Sequence, residues 1–208
     1  MPEVLEVISA SRVLPVVVIE DAESALALAT ALKKGGLRCV EITFRTAAAA
    51  AALRAMAGDA DLTVGAGTVL SCQQVDLALD AGARYIVTPG FSPEVVRHCQ
   101  ERSVPVFPGV ATATEIQAAM SAGLEAVKFF PAEPLGGVTM LKALGAPFPM
   151  MRFIPTGGIG PGNMTAYLRH PAVLAVGGSW MVASSLLRAG DFAAIAEVTA
   201  EAVRLAAG

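Results

Sequence analysis

The chain is short of charge. Only 16% of its 208 residues are Asp, Glu, Lys or Arg, against 54% hydrophobic, where soluble domains usually carry about 25% charged residues. So little polar surface suits one large domain spanning residues 1–208 better than two small ones. Neither sign of charge dominates: the formal net charge is −3, which gives no electrostatic footing for nucleic acid or an anionic membrane surface. Long apolar runs are missing as well. The best of them, Val13 to Ile19, is interrupted by Pro15. That excludes a membrane span or a secretory signal, and the expectation is a cytoplasmic protein starting near Met1.

Cysteine and histidine are scarce. The three cysteines, Cys39, Cys72 and Cys99, read as reduced thiols without zinc or redox spacing, Cys39 lying in the core. His98 and His170 fall in polar, helix-like stretches and are expected at the surface, poor material for a metal site, so no metal is expected. A Gly-x-Gly-x-x-Gly turn after the first strand is lacking too, which weakens a doubly wound open sheet as the rival architecture.

What is present is alternation. Short β-rich runs begin near Val13, Cys39, Leu62, Arg84, Val104, Ala126, Arg152 and Val173, with helical stretches such as Ala22–Lys34, Thr46–Ala57, Ser71–Ala81 and Thr112–Ala122 between them. Strands alternating with helices predict a parallel α/β fold. A spacing of roughly 20–26 residues leaves room for one strand, one helix and tight turns per unit, and eight such units predict a single compact (β/α)8 TIM barrel. The six-alanine tract Ala47–Ala52 reads as helix rather than low complexity.

Lys128 is the most informative residue. In Glu125-Ala126-Val127-Lys128-Phe129-Phe130-Pro131, strand alternation sends Val127 and Phe129 one way and Ala126, Lys128 and Phe130 the other. In a parallel sheet both faces are covered, and a buried ammonium is costly unless it is paired or loses its proton. An uncharged amine attacks carbonyls; the alternative is a lysine snorkelling to solvent or bound to a carboxylate. In Cys39-Val40-Glu41-Ile42-Thr43-Phe44-Arg45, the residues Glu41, Thr43 and Arg45 share the face opposite Val40, Ile42 and Phe44. They form either a self-satisfied Glu–Arg pair or, with Lys128, a nucleophile beside a proton shuttle.

Weaker signals surround these. The third strand ends in Gly65-Ala66-Gly67-Thr68 and the fourth in Thr88-Pro89-Gly90, each as readily a tight turn as a binding site. The seventh and eighth run into Thr156-Gly157-Gly158-Ile159 and Gly177-Gly178-Ser179-Trp180. Two glycines before a helix expose backbone N–H groups to an anion, and strands seven and eight are the usual phosphate site of such barrels. A purely structural turn is the other reading.

Together these blocks resemble the 2-keto-3-deoxy-6-phosphogluconate (KDPG) aldolase family, which includes 4-hydroxy-2-oxoglutarate aldolase activity. The resemblance rests on Glu41-Ile42-Thr43-Phe44-Arg45-Thr46, Val64-Gly65-Ala66-Gly67-Thr68-Val69, Thr88-Pro89-Gly90, Lys128-Phe129-Phe130-Pro131-Ala132-Glu133, Pro155-Thr156-Gly157-Gly158-Ile159 and Gly177-Gly178-Ser179-Trp180, in order. It implies a cofactor-free and metal-free class I aldolase, commonly homotrimeric, acting on a phosphorylated keto acid and releasing pyruvate. It further implies Lys128 as the Schiff-base lysine and Glu41 as general acid/base. Arg45 and Thr68 would hold the carboxylate, Pro89 and Phe130 wall the pocket, and Gly157, Gly158, Gly178 and Ser179 cradle the phosphate. Phe44 stands where many relatives have an aliphatic residue. Thr156 is similar to the gluconate-type pattern; a galactonate-type aldolase remains the alternative. Two further readings stay open: a different phosphate-binding barrel enzyme, such as a sugar-phosphate isomerase or a thiamin-phosphate-synthase-like protein, and a non-catalytic sensor of a phosphorylated acid.

Overall fold

The computed structural model describes residues 2–208. Nine strands are assigned among them, all paired in parallel: β1 Val13–Val17, β2 Cys39–Thr43, β3 Thr63–Gly67, β4 Ile86–Val87, β5 Val106–Phe107, β6 Gly109–Val110, β7 Ala126–Phe129, β8 Arg152–Pro155 and β9 Val176–Gly178. The helices are α1 Pro2–Ser11, α2 Ala25–Lys34, α3 Ala49–Ala57, α4 Cys72–Asp80, α5 Pro93–Glu101, α6 Ala113–Ser121, α7 Gly137–Gly145, α8 Met164–Leu168, α9 Ser184–Ala189 and α10 Phe192–Ala207.

The expected strand–helix alternation is present, and the expected single eight-stranded sheet is assigned in two parts. One sheet has the order β5-β4-β3-β2-β1-β9 and the other β6-β7-β8. Pro108 alone separates β5 from β6. It has no N–H to give to a ladder, but its carbonyl accepts from Lys128 N at 2.9 Å. At the other seam, parallel bridges Phe153↔Val173 and Thr156↔Gly177 link β8 to the β9 segment.

Two apolar clusters follow from strand alternation. Val40, Ile42, Val64, Ala66, Val127 and Phe129 point outward and pack with the helices. Leu14, Cys39, Tyr85, Phe107, Ala126 and Ile154 point inward and meet Val4 and Ile8 of α1. The inner set lies toward the amino ends of the strands, so α1 covers that end.

Several local expectations shift. Strand β2 stops at Thr43, and Phe44 and Arg45 belong to the following turn. Ala47 and Ala48 form a turn before α3, because Thr46 is diverted: its hydroxyl donates to Ile19 O at 2.6 Å. Residues 22–24 are a 3-10 turn capped by Asp21 rather than the start of α2. Helix α1 has no counterpart among the expected elements, although Val4 and Ile8, one helical turn apart, carry its buried face. His98 is half-buried against Asp76 at 3.0 Å, and half-buried His170 accepts from Ala172 N at 3.2 Å. Cys39 lies in the core as expected, and all three cysteines are free.

Candidate active site

Lys128 and Glu41 meet on the inner side of the two sheets. Lys128 Nζ donates to Glu41 Oε1 at 3.3 Å, and the residues are 6% and 1% exposed, so bulk water does not separate them. Strand geometry explains the meeting. Lys128 is two residues on from inward-pointing Ala126, and Glu41 two on from inward-pointing Cys39. The two readings left open for Lys128, a nucleophile or a lysine bound to a carboxylate, thus describe one arrangement. The 3.3 Å separation is longer than the 2.7–2.9 Å of a tight charge-assisted bond.

Small residues make the room. A Cβ at Gly67 would overlap the Glu41 carboxylate, and one at Gly65 would overlap the Tyr85 ring. Tyr85 forms the floor: its hydroxyl donates to Val40 O at 2.7 Å, and burial pushes it well above the usual phenol range, with Cys39 and Glu41 adding to the effect. Gly109 is the register partner of Lys128, and a Cβ there would overlap the Pro89 carbonyl, so the Pro89 backbone packs on the strand next to that of Lys128. The Phe130 ring lies 5.2 Å from Lys128 Nζ, close enough for cation–π attraction while the amine is charged.

Arg45, in the turn after β2, donates from Nε to Thr68 Oγ1 at 3.2 Å. Thr68 has φ +57°, a conformation that β-branched residues rarely adopt. Strain of this kind collects at functional sites, and here it brings the Thr68 hydroxyl to Arg45. The guanidinium is exposed, and its terminal nitrogens have no hydrogen-bond partner among the described residues.

The glycine turns stand at the carboxyl ends of β8 and β9. Gly157 and Gly158 have φ +103° and +77°, and the turn is tied to the segment after β7 by Ala132 N to Thr156 O at 2.8 Å and Glu133 N to Gly157 O at 3.0 Å. Thr156 is buried and bridges to Gly177, whose Cβ would overlap its hydroxyl. Gly178 is buried beneath the Trp180 ring, and Ser179 is exposed. The structure therefore brings Lys128, Glu41 and Phe130 to one centre, the Pro89 backbone to the neighbouring strand segment at Gly109, Arg45 and Thr68 together, and Thr156, Gly157, Gly158, Gly178 and Ser179 to adjacent loops. Phe44 packs on the outer cluster, away from Lys128. The sequence reading had no place for Tyr85, Gly109, Tyr167 or Asn163. The contacts of Tyr85, Gly109 and Tyr167 span distant segments, at which only the paired glycines hinted, whereas Asn163 reaches three and five residues back along its own loop.

The aldolase family model described as KDPG and KHG aldolase matches residues 4–198. The 2-dehydro-3-deoxy-phosphogluconate aldolase of Treponema pallidum (strain Nichols) is 48% identical over 99% of this chain and 98% of its own. The KHG/KDPG aldolase of Escherichia coli (strain K12) is 42% identical over 95% and 93%. Among solved structures, the 2-keto-3-deoxy-6-phosphogluconate aldolase of Zymomonas mobilis ZM4 with 3-phosphoglycerate superimposes with a TM-score of 0.92 at 39% identity, covering 98% of this chain and 96% of that one. The KDPG aldolase of Legionella pneumophila, with pyruvate captured as a covalent carbinolamine intermediate, gives 0.92 at 39%, covering 95% and 96%. A KDPGal structure gives 0.82 at 31%, covering 93% of each chain. Matches of this length and strength make the chain a carbon–carbon lyase. It belongs to the KDPG and KHG aldolase family.

Proposed function

We propose that the two sheets close into one (β/α)8 barrel forming a single domain over residues 1–208, and that its mouth cleaves 2-dehydro-3-deoxy-6-phosphogluconate to pyruvate and D-glyceraldehyde 3-phosphate. The observation that carries this reading is the buried Lys128–Glu41 pair, which joins a strand of the three-stranded sheet to one of the six-stranded sheet across their inner faces. The bridges from β8 to the β9 segment support closure at the second seam.

Lys128 Nζ attacks the C2 ketone, and Glu41 takes the proton that the nitrogen sheds. Glu41 passes it to the C2 alkoxide, and a second proton drawn from solvent lets the resulting hydroxyl depart as water, leaving an iminium ion and Glu41 as the carboxylate. That cation accepts the electron pair of the C3–C4 bond once Glu41 withdraws the C4 hydroxyl proton, and the aldehyde departs. The enamine is protonated at C3, and water adds at C2 to release pyruvate and the free amine. Arg45 and Thr68 hold the C1 carboxylate, the guanidinium donating two parallel hydrogen bonds. Pro89 and Phe130 wall the carbon chain. Backbone N–H groups at Gly157, Gly158 and Gly178, with the Ser179 hydroxyl, take the phosphate.

Reduction with borohydride in the presence of pyruvate tests this. A pyruvyl adduct is expected on Lys128; a sugar-phosphate isomerase on the same scaffold would give none, and a sensor would bind without turnover. Relatives carrying the gluconate name at 42–48% identity, against 31% for the KDPGal chain, favour the gluconate substrate over the galactonate one. The dual name of the Escherichia coli relative supports a second activity on 4-hydroxy-2-oxoglutarate, giving pyruvate and glyoxylate. A homotrimer belongs to the same reading. Leu70 and Leu77, 63% and 47% exposed, are apolar surface that a neighbouring copy would cover, and sedimentation would weigh the assembly. A reducing, cytoplasmic setting is supported by the free cysteines.

A further inference from the structure

Asn163 stands at the N-cap position of α8 yet makes no capping bond, unusual for a residue type favoured there for its side-chain oxygen. Its amide turns back instead. Nδ2 donates to Gly158 O at 3.1 Å, and Oδ1 accepts from Gly160 N at 2.8 Å. One side chain thereby ties both ends of the segment that follows the Gly157–Gly158 turn.

A second tie grips that turn. The hydroxyl of Tyr167, a fully buried ring on α8, donates to Glu133 Oε1. Glu133 in turn donates its backbone N–H to Gly157 O at 3.0 Å, and its Cβ lies where a side chain at Gly158 would be. Gly137, at φ +63°, leaves space for this contact: a Cβ there would stand 3.0 Å from Glu133 Oε1 and 3.3 Å from the Tyr167 hydroxyl. Glycines at positive φ are the most mobile residues of a free loop, and two in succession do not hold donors in place by themselves. The cross-ties consume the carbonyls of Gly157 and Gly158. The N–H groups of Gly157, Gly158 and Ile159 have no acceptor among the described residues.

We infer that Asn163 and the Tyr167–Glu133 pair are positioning residues that set specificity for a phosphorylated substrate, by holding the Gly157–Ile159 N–H groups aimed at one tetrahedral oxyanion. The inference rests on the aldolase reading above and concerns its phosphate end alone. Neither side chain need touch the substrate. Their contribution is the order they impose on the loop before binding, which otherwise subtracts from affinity.

The experiment compares the 6-phosphorylated keto acid with the same keto acid lacking phosphate. Asn163→Ala is expected to raise KM for the phosphorylated substrate about 10-fold, the scale of a lost hydrogen bond or two, with kcat and the rate of pyruvate trapping within about twofold of wild type. KM for the unphosphorylated acid should not move. Should Asn163→Ala fail to fold, Tyr167→Phe, which removes one oxygen and keeps the ring in the core, is expected to raise the same KM several-fold. Equal losses on both substrates would mark a merely structural role and overturn the proposal, as would no loss on either. A wild-type protein that forms no pyruvyl adduct would overturn the Lys128 reading itself. The trapping arm separates that failure from failure of the phosphate-specificity idea.

Discussion

Gly67 lies against the Glu41 carboxylate so closely that any side chain at position 67 would occupy the space of Oε1, Cδ and Cγ. The overlap is with the far end of a flexible side chain, so Gly67→Ala should displace the carboxylate more than it damages the fold. It is expected to lower kcat toward the level of Glu41→Gln, roughly 10²–10⁴-fold below wild type, the usual worth of one general acid/base. Single-turnover kinetics beside thermal denaturation would show it, and wild-type turnover in Gly67→Ala would contradict the role given to Glu41.

Removing one member of a buried pair leaves the other without a partner. Lys128→Met should abolish the pyruvyl adduct and destabilise the protein by roughly 3–5 kcal/mol if Glu41 stays charged. The double variant Lys128→Met/Glu41→Gln, with no charge left to desolvate, should recover much of that loss. Urea denaturation of the four proteins closes the cycle. Equal stability of the single and double variants would argue against the ion pairing.

The site was legible in sequence to the extent that strand alternation governs it. Lys128 and Glu41 each lie two residues beyond an inward-pointing core residue, and their inward direction followed from the pattern alone. Their partnership did not. It joins residues 87 positions apart on strands that are not neighbours in a sheet, and neither local sequence expresses that distance. Arg45 was placed on the correct side for an inexact reason, since the strand ends at Thr43 and the turn, not the pleat, delivers the guanidinium to Thr68. Helix α1 escaped notice because Val4 and Ile8 are its fully buried marks among the described residues, with Leu5 and Val7 half-buried beside them. The division between β5 and β6 comes from one proline that cannot complete a ladder.

Thiol chemistry gives a check on the core. Burial raises Cys39 to about 11, partly offset by a hydrogen bond from Ser11, and raises Cys99 to about 12, with Cys72 and Asp76 contributing. Since the thiolate is the reactive form, iodoacetamide at pH 8 should leave both unmodified in the folded protein. Cys72 is more accessible but is also raised, by desolvation first and then by Glu94, so it should label slowly, and faster in Glu94→Gln. Peptide mass spectrometry would resolve the three sites.

His170 ties stability to acidity. Burial, and secondarily the nearby Lys142 charge, lower its folded-state pKa below the usual 6.5. The unfolded chain therefore binds the proton more readily. Stability from this residue is fully present above pH 6.5 and is lost as pH falls toward the lowered value. The thermal midpoint should drop between pH 7.5 and 5.5 by less in His170→Gln than in wild type, and identical profiles would remove His170 from the account.

In the closed barrel proposed above, helix α1 and the inner cluster of Leu14, Cys39, Tyr85, Phe107, Ala126 and Ile154 stop the far end of the strands, which would leave Lys128 a single doorway. Both halves of a cleaved substrate must leave through the opening by which the whole molecule came in. The fragment without a bond to the protein has to go first, because until it clears the entrance it stands in the path of the water that frees the second. Sequential departure, aldehyde ahead of keto acid, is thus a consequence of plumbing as much as of reactivity.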